Sequence, residues 1–138
     1  QLVDENVVLY VYRGKRTVVY DKIQVRERYG IDACYFADYK ALIGDYSDNL
    51  AGVPGIGPKT ASRLINLYGN LDNIFANLPD ISPKNIQKSI SENILKTKNN
   101  FDLIKLTENI SVPFSIEDIK YKEKNMRTRE VLQCCGLM

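Results

Sequence analysis

Apolar positions along this chain follow two periods. Val7–Tyr12 and Thr17–Tyr20 are β-rich runs flanking Arg13, Gly14 and Lys15, a pattern that predicts a hairpin. The first run, VVLYVY, is apolar at nearly every position, so it reads as a strand covered on both faces. Beyond residue 21 the period becomes helical. Asp21 stands as the N-cap of a helix over 22–29 closed by Gly30, and Asp32 as the cap of a second that reaches about Ile43 and stops at Gly44. Ala37, Ala41 and Leu42 give that second helix its apolar side. Ala61, Leu64, Ile65 and Tyr68 keep the i, i+3, i+4, i+7 spacing, with Lys59, Ser62, Arg63 and Asn66 off the stripe; Leu71, Ile74, Phe75 and Leu78 repeat the spacing. Ser82 reads as an N-cap with Pro83 at the first helical position and Ile81 and Ile86 as a hydrophobic staple. Helix then continues to about Leu106 with a break near Ser91. Val112–Ile116 reads as a short extended piece and Thr128–Leu137 as a last helix.

Composition narrows the function classes. A length of 138 residues with 44% hydrophobic content suits one folded domain. The formal net charge of +2 says nothing about partners, so any electrostatic argument must come from local clustering. There are three cysteines, no CxxC pair and no histidine, which argues against a structural zinc site. Cys34 falls within the second expected helix and reads as core; Cys134 and Cys135 are adjacent near the end. No apolar run approaches membrane-spanning length and no signal-peptide pattern is present, so a reducing, cytoplasmic setting without a membrane partner is expected. The chain starts at Gln1 rather than Met, which raises the expectation of a fragment or processed product.

The segment from Gly44 to Gly69 carries the chemistry. Gly52, Gly55 and Gly57 punctuate a turn containing Val53, Pro54 and Ile56, and Pro58 opens the following helix. Glycine lets a phosphate approach the main chain, and the first-turn amides and dipole of a helix attract an anion. Lys59 adds a positive charge and Thr60 a hydroxyl at that end. The arrangement reads backbone phosphate rather than bases. A lone GxG turn is more often only a tight connection between packed helices. Here the string GVPGIGPKTASRLI resembles the helix-hairpin-helix DNA-binding motif along its whole length. It is not a P-loop, since no GxxxxGK[ST] spacing occurs.

Asp45 and Asp48 lie three residues apart just before the hairpin. On a helical turn they would share one side, and two close carboxylates favour a hard cation between them, Mg²⁺ or Mn²⁺. The plainer reading has Asp45 as a cap and Asp48 as solvated. Tyr46, between them, reads as local packing, as do Tyr10, Tyr12 and Tyr20 in or beside the first hairpin.

The wider stretch YKALIGDYSDNLAGVPGIGPKTA, Tyr39–Ala61, resembles the helix-3-turn-helix segment of the 5′→3′ exonuclease domain of bacterial DNA polymerase I, with flap endonucleases as more distant relatives. The joining of GDxSDN to GxxGIGxKTA carries the resemblance, and YGNLDNIFANL and the opening QLVDENVVLYVY extend it. It implies a mainly α chain with a small β element, a helix-hairpin-helix subdomain of an α/β (PIN-like) 5′-nuclease. Residues 1–21 would be a β-hairpin of the nuclease sheet, 22–110 a helical DNA-binding region with the motif at 44–69, and 111–138 a tail. Asp45 and Asp48 would be ligands of the divalent pair. The carbonyls of Ala51, Val53 and Ile56 would hold a monovalent cation such as K⁺, and Gly55, Gly57, Lys59, Thr60 and Arg63 would meet DNA phosphates. The family's other acidic ligands, catalytic basic residues and helical arch would lie upstream of Gln1, so Asp4 and Glu5 are not expected to stand in for them and the chain alone is expected to be inactive.

Lys84 and Lys88, i and i+4 on one face, with Lys96 and Lys98, are either a phosphate track or a solvated helix face. Three functions therefore stand: part of a metal-dependent 5′-nuclease acting on nicked or 5′-flapped duplex, as a monomer joined to the rest of its nuclease or polymerase chain; a non-catalytic helix-hairpin-helix module; or a scaffold whose hairpin merely packs.

Overall fold

The computed structural model describes residues 1–115, 117–120 and 127–136. They form two compact units, Gln1–Leu106 and Thr107–Met138. The fold is mostly helical with two small antiparallel sheets. The first sheet is the ribbon β1 (Leu9–Arg13) and β2 (Arg16–Tyr20), paired from Leu9↔Tyr20 to Arg13↔Arg16. Its turn is possible because Gly14 takes φ 58°.

Helix α1 (Lys22–Tyr29) starts as the sequence indicates. Asp21 accepts from the amide of Gln24, whose side chain returns a bond to the Asp21 amide, and Gly30 closes the helix at φ 69°. A 3₁₀ turn, Ala33–Tyr35, then precedes α2 (Phe36–Ile43). The second helix therefore begins later than its expected cap. Asp32 makes no capping bond; its carboxylate pairs with Arg26 at 2.6 Å. Cys34 lies in the 3₁₀ turn and is exposed, not core, as are Cys134 and Cys135.

Helices α3 (Pro58–Tyr68) and α4 (Leu71–Ala76), a 3₁₀ turn (Leu78–Asp80), α5 (Lys84–Glu92) and α6 (Ile94–Ile104) complete the first unit. Their apolar stripes converge on one core in which Ile31, Leu42, Leu64, Ile65, Ile74 and Ile90 are almost wholly buried. Each such side chain contributes about 1.5–3 kcal/mol of transfer free energy. Helix α2 lies centrally, packed on both α3 and α6. Its Asp38 carboxylate, buried, accepts the Leu71 amide at 2.9 Å and so fixes the start of α4. The α5–α6 break falls at Asn93. Pro83, not Ser82, is the N-cap of α5, which begins at Lys84; Ile81 and Ile86 are nonetheless both buried.

The ribbon departs furthest from expectation. Tyr10 and Tyr12 are 64% and 70% exposed, and only Val11 and Tyr20 are half-buried. A two-stranded ribbon has one neighbour to cover it, here the Val25, Tyr29 and Phe36 side. Most positions on both faces of the ribbon are therefore exposed despite their apolar type, Leu9, Tyr10, Tyr12, Val18 and Val19 among them. In the second unit α7 spans Thr128–Cys134, while Ser111–Ser115 forms no strand; Ile116 and Leu137 lie outside the described residues.

Candidate functional site

Two consecutive hairpins join α2 to α3. Gly44 leaves α2 at φ 86°, and β3 (Gly44–Asp45) pairs antiparallel with β4 (Leu50–Ala51). The connection is tight: the Asp48 amide donates to the Asp45 carbonyl at 3.2 Å, and Asn49 takes φ 57°. The Asp45–Asp48 segment is therefore the turn of a β-hairpin, closed by the successive i→i+3 bonds Asp48 N to Asp45 O and Asn49 N to Tyr46 O rather than by α-helical i→i+4 bonds. Close backbone approach is the reason. A Cβ at Gly52 would lie 2.3 Å from the Ile43 carbonyl carbon, and one at Gly44 would lie 2.5 Å from both Gly52 N and Leu50 O.

Asp45 is held from two sides. One oxygen accepts from the Ser47 hydroxyl at 2.5 Å and the Ser47 amide at 3.1 Å; the other lies 3.0 Å from Lys40 Nζ. The Ser47 hydroxyl, then Lys40, keep the Asp45 carboxyl below the usual range. Asp48 is exposed. Tyr46 between them is fully exposed and packs on nothing. Among the described residues no group of three or more His, Cys, Asp or Glu side chains is placed to hold a metal. The two carboxylates have the hard oxygen chemistry that Mg²⁺ or Mn²⁺ takes, and they can supply only part of a coordination shell.

The second hairpin is the glycine-rich one. The Ile56 amide donates to Val53 O at 3.1 Å across Pro54 and Gly55, and Gly55 takes φ 78°, the signature of a type II turn. Val53 and Ile56 are buried anchors, while Pro54, Gly55, Gly57, Pro58 and Lys59 are exposed. Gly57 is the N-cap of α3 and offers no side-chain cap. Among the described residues the amides of Gly55, Gly57 and Lys59 meet no backbone acceptor. A Cβ at Gly57 would touch nothing within 4 Å, so internal packing does not require glycine there. The exposed helix start can thus accept an anion at close range.

The carbonyls of this hairpin are largely engaged. Ala51 O accepts from Asn100 Nδ2 at 3.0 Å, Gly52 O from Lys96 Nζ at 3.1 Å, Val53 O from the Ile56 amide, and Pro54 O from Ser89 Oγ at 2.6 Å. Of the three carbonyls expected to hold a monovalent cation, only Ile56 O meets no donor among the described residues.

Thr60 is half-buried, its amide bonded to Gly57 O. Arg63 is exposed and donates to Ser82 O at 2.9 Å, tying α3 to the loop before α5. Lys84 and Lys88 are exposed on α5, with Lys88 3.7 Å from Glu92. Sequence reasoning passed over Ser89, Asn100 and Asp38, and read Lys96 as part of either a phosphate track or a solvated helix face, not as a partner of the hairpin. A signal for Asn100 was available: it lies with Thr97, Phe101 and Ile104 on the inward stripe of α6, and a polar residue there needs a partner.

A family model described as 5′-3′ exonuclease, C-terminal SAM fold, matches residues 31–127. The chain belongs to this 5′-3′ exonuclease family. It is 39% identical to a DNA polymerase I of Caldicellulosiruptor bescii over 96% of this chain and 16% of that one. It is 34% identical to a 5′-3′ exonuclease of Buchnera aphidicola over 91% of this chain and 46% of that one. The chain therefore spans less than half the length of these relatives. Among solved structures, the bacteriophage T5 flap endonuclease in a pseudo-enzyme–product complex with DNA and metal ions superposes with a TM-score of 0.65 at 26% identity, covering 75% of this chain and 38% of that one. The helical fold and the membership in this nuclease family agree with the resemblance borne by Tyr39–Ala61. No helix among the described residues is long and apolar enough to cross a membrane.

Proposed function

We propose that this chain is the DNA-gripping part of a divalent-metal-dependent 5′→3′ exonuclease or flap endonuclease that works in DNA replication and repair in the cytoplasm. The observation that carries the reading is the exposed start of α3, where Gly55, Gly57 and Lys59 are exposed and their amides meet no backbone acceptor among the described residues, one hairpin away from Asp45 and Asp48. These amides and the Lys59 ammonium bind duplex phosphates without reading bases, while Thr60 and Arg63 support the same end of the helix. Lys84 and Lys88 extend the track along α5. Asp45 and Asp48 hold part of a Mg²⁺ or Mn²⁺ site whose ions neutralise charge on the scissile phosphate. The remaining ligands belong to the rest of a longer nuclease or polymerase chain, so the chain alone binds a nicked or 5′-flapped duplex as a monomer and does not cut it.

A second reading, a non-catalytic helix-hairpin-helix module, draws support from the Lys40 partner already on Asp45. The test of the first reading measures binding of the chain to nicked and 5′-flapped duplex at two salt concentrations, with and without Mg²⁺. Salt-sensitive binding without cleavage is the expected result. No binding at low salt overturns the DNA reading, and robust Mg²⁺-dependent cleavage overturns the incomplete site. In a full-length relative, Asp48→Asn separates the two readings: loss of cleavage with binding retained favours the nuclease, and unchanged cleavage favours the module.

A further inference from the structure

Lys96 reaches from α6 to the glycine hairpin. It lies 44 residues beyond Gly52 in sequence, yet its Nζ donates to Gly52 O at 3.1 Å. One turn further along α6, the buried Asn100 donates to the neighbouring Ala51 O at 3.0 Å, so the two successive carbonyls are both tied to one helix. Lys22, Lys40 and Lys88 have carboxylate partners. Lys96 is exposed and has no carboxylate at ion-pair distance among the described residues. An ammonium carries three N–H donors, and Gly52 O takes one of them. The bond to a neutral carbonyl leaves the positive charge uncompensated. It also restrains a long side chain that is otherwise free to sample many rotamers, so less ordering is left to occur on binding.

We infer that Lys96 is a phosphate-binding residue of the hairpin supplied by α6, its ammonium anchored on Gly52 O and its two remaining donors meeting the DNA backbone. The inference rests on the reading of the hairpin as a DNA-gripping element and adds a contact from outside residues 44–69. Gly55, whose amide meets no backbone acceptor among the described residues, follows Gly52 by three residues, at most about 11 Å along the main chain. A duplex carries about one negative charge per 1.7 Å of its axis, so one seated on Gly55, Gly57 and Lys59 brings further phosphates past this ammonium. The plainer role for Lys96 is a tie alone, with the ammonium holding the Gly52 carbonyl and meeting no DNA. The two roles differ in how binding responds to salt. A lost tie lowers affinity equally at every salt concentration, whereas a lost phosphate contact releases one counterion fewer and flattens the salt slope.

The test measures affinity of the whole chain for a nicked duplex across a series of potassium chloride concentrations from ~0.1 M upward, where charges more than about 10 Å apart are largely screened. Lys96→Met should flatten the slope of log affinity against log salt by about 0.9, and Lys96→Arg, which keeps the charge and the donors, should retain the wild-type slope. Lys105→Met is the control for net charge, since Lys105 closes α6 nine residues on, about 14 Å along the helix, and should leave the slope unchanged. Circular dichroism checks the fold, and Lys96→Gln is read in the same way should Lys96→Met fail to fold. A parallel drop in affinity with the slope preserved makes Lys96 a tie and overturns the inference. So does a Lys96→Met chain that binds as wild type, or a Lys105→Met chain whose slope flattens as much. Absence of wild-type binding in every salt overturns the DNA reading itself, and this inference with it.

Discussion

Lys40 Nζ on α2 lies 3.0 Å from Asp45 Oδ2 on β3, and both side chains are largely buried, at 25% and 16% exposure. This ion pair joins the helix to the strand that begins the first hairpin. Lys40→Met keeps the aliphatic stem and strands the carboxylate, which should cost about 1 kcal/mol in denaturant unfolding at neutral pH. Asp45 is held below its ordinary pKa by Ser47 and Lys40, so its contribution is present above the unfolded pKa and lost as pH falls through the folded one. The gap between variant and wild type should therefore close in acid. A gap that persists there would show that Lys40 acts through packing alone.

Asp38 should behave in the opposite sense. Burial pushes its carboxyl above the usual range even though the Leu71 amide bonds to it. Its contribution is full below the unfolded pKa and declines as pH rises through the folded pKa. Asp38→Asn keeps an acceptor for Leu71 and carries no charge, so at neutral pH it should be at least as stable as wild type. Asp38→Ala leaves the Leu71 amide without its partner and should cost about 1–3 kcal/mol. Equal losses for Asn and Ala in thermal melts would mean that the negative charge itself is needed.

Two glycines of the same segment should respond differently. Gly52→Ala drives a Cβ into the Ile43 and Gly44 backbones, at 2.3 Å and 2.6 Å, and should cost about 3 kcal/mol as the strands part. Gly57→Ala meets open space and should leave unfolding within about 0.5 kcal/mol of wild type. Its effect should appear in DNA affinity, because a methyl group at the helix start keeps a phosphate away. A Gly57→Ala chain that binds duplex as well as wild type would remove that amide from the contact.

Lys84 and Lys88 can be judged by the salt dependence of binding. Each lysine that meets a phosphate should contribute a slope of roughly −0.9 in log affinity against log salt. Lys88 shares its charge with Glu92, so Lys84→Met should flatten the slope more than Lys88→Met. If neither changes the slope, α5 presents only a solvated face to the DNA.

Helix positions were legible where periodicity was strong and a cap was local. The α1 capping box and the α3 and α4 stripes follow from residues three or four apart, which interact whatever the rest of the chain does. The ribbon was legible as a hairpin but not in its exposure, since VVLYVY states only which residues prefer strands and not how many neighbours will cover them. Cys34 and Asp32 were misread together, because a 3₁₀ turn occupies the place of the expected first helical turn.

The sequence by itself determined the family, the glycine hairpin and the candidate residues along it, because these depend on residue types at short, constant spacing. Only the tertiary structure decided that Asp45 is already paired with Lys40, that Asp38 secures α4, and that Ser89, Lys96 and Asn100 occupy the hairpin carbonyls. The physical reason is separation along the chain. Asn100 meets Ala51 across 49 residues, and a hydrogen bond over that span exists only after the core has brought α6 beside the hairpin.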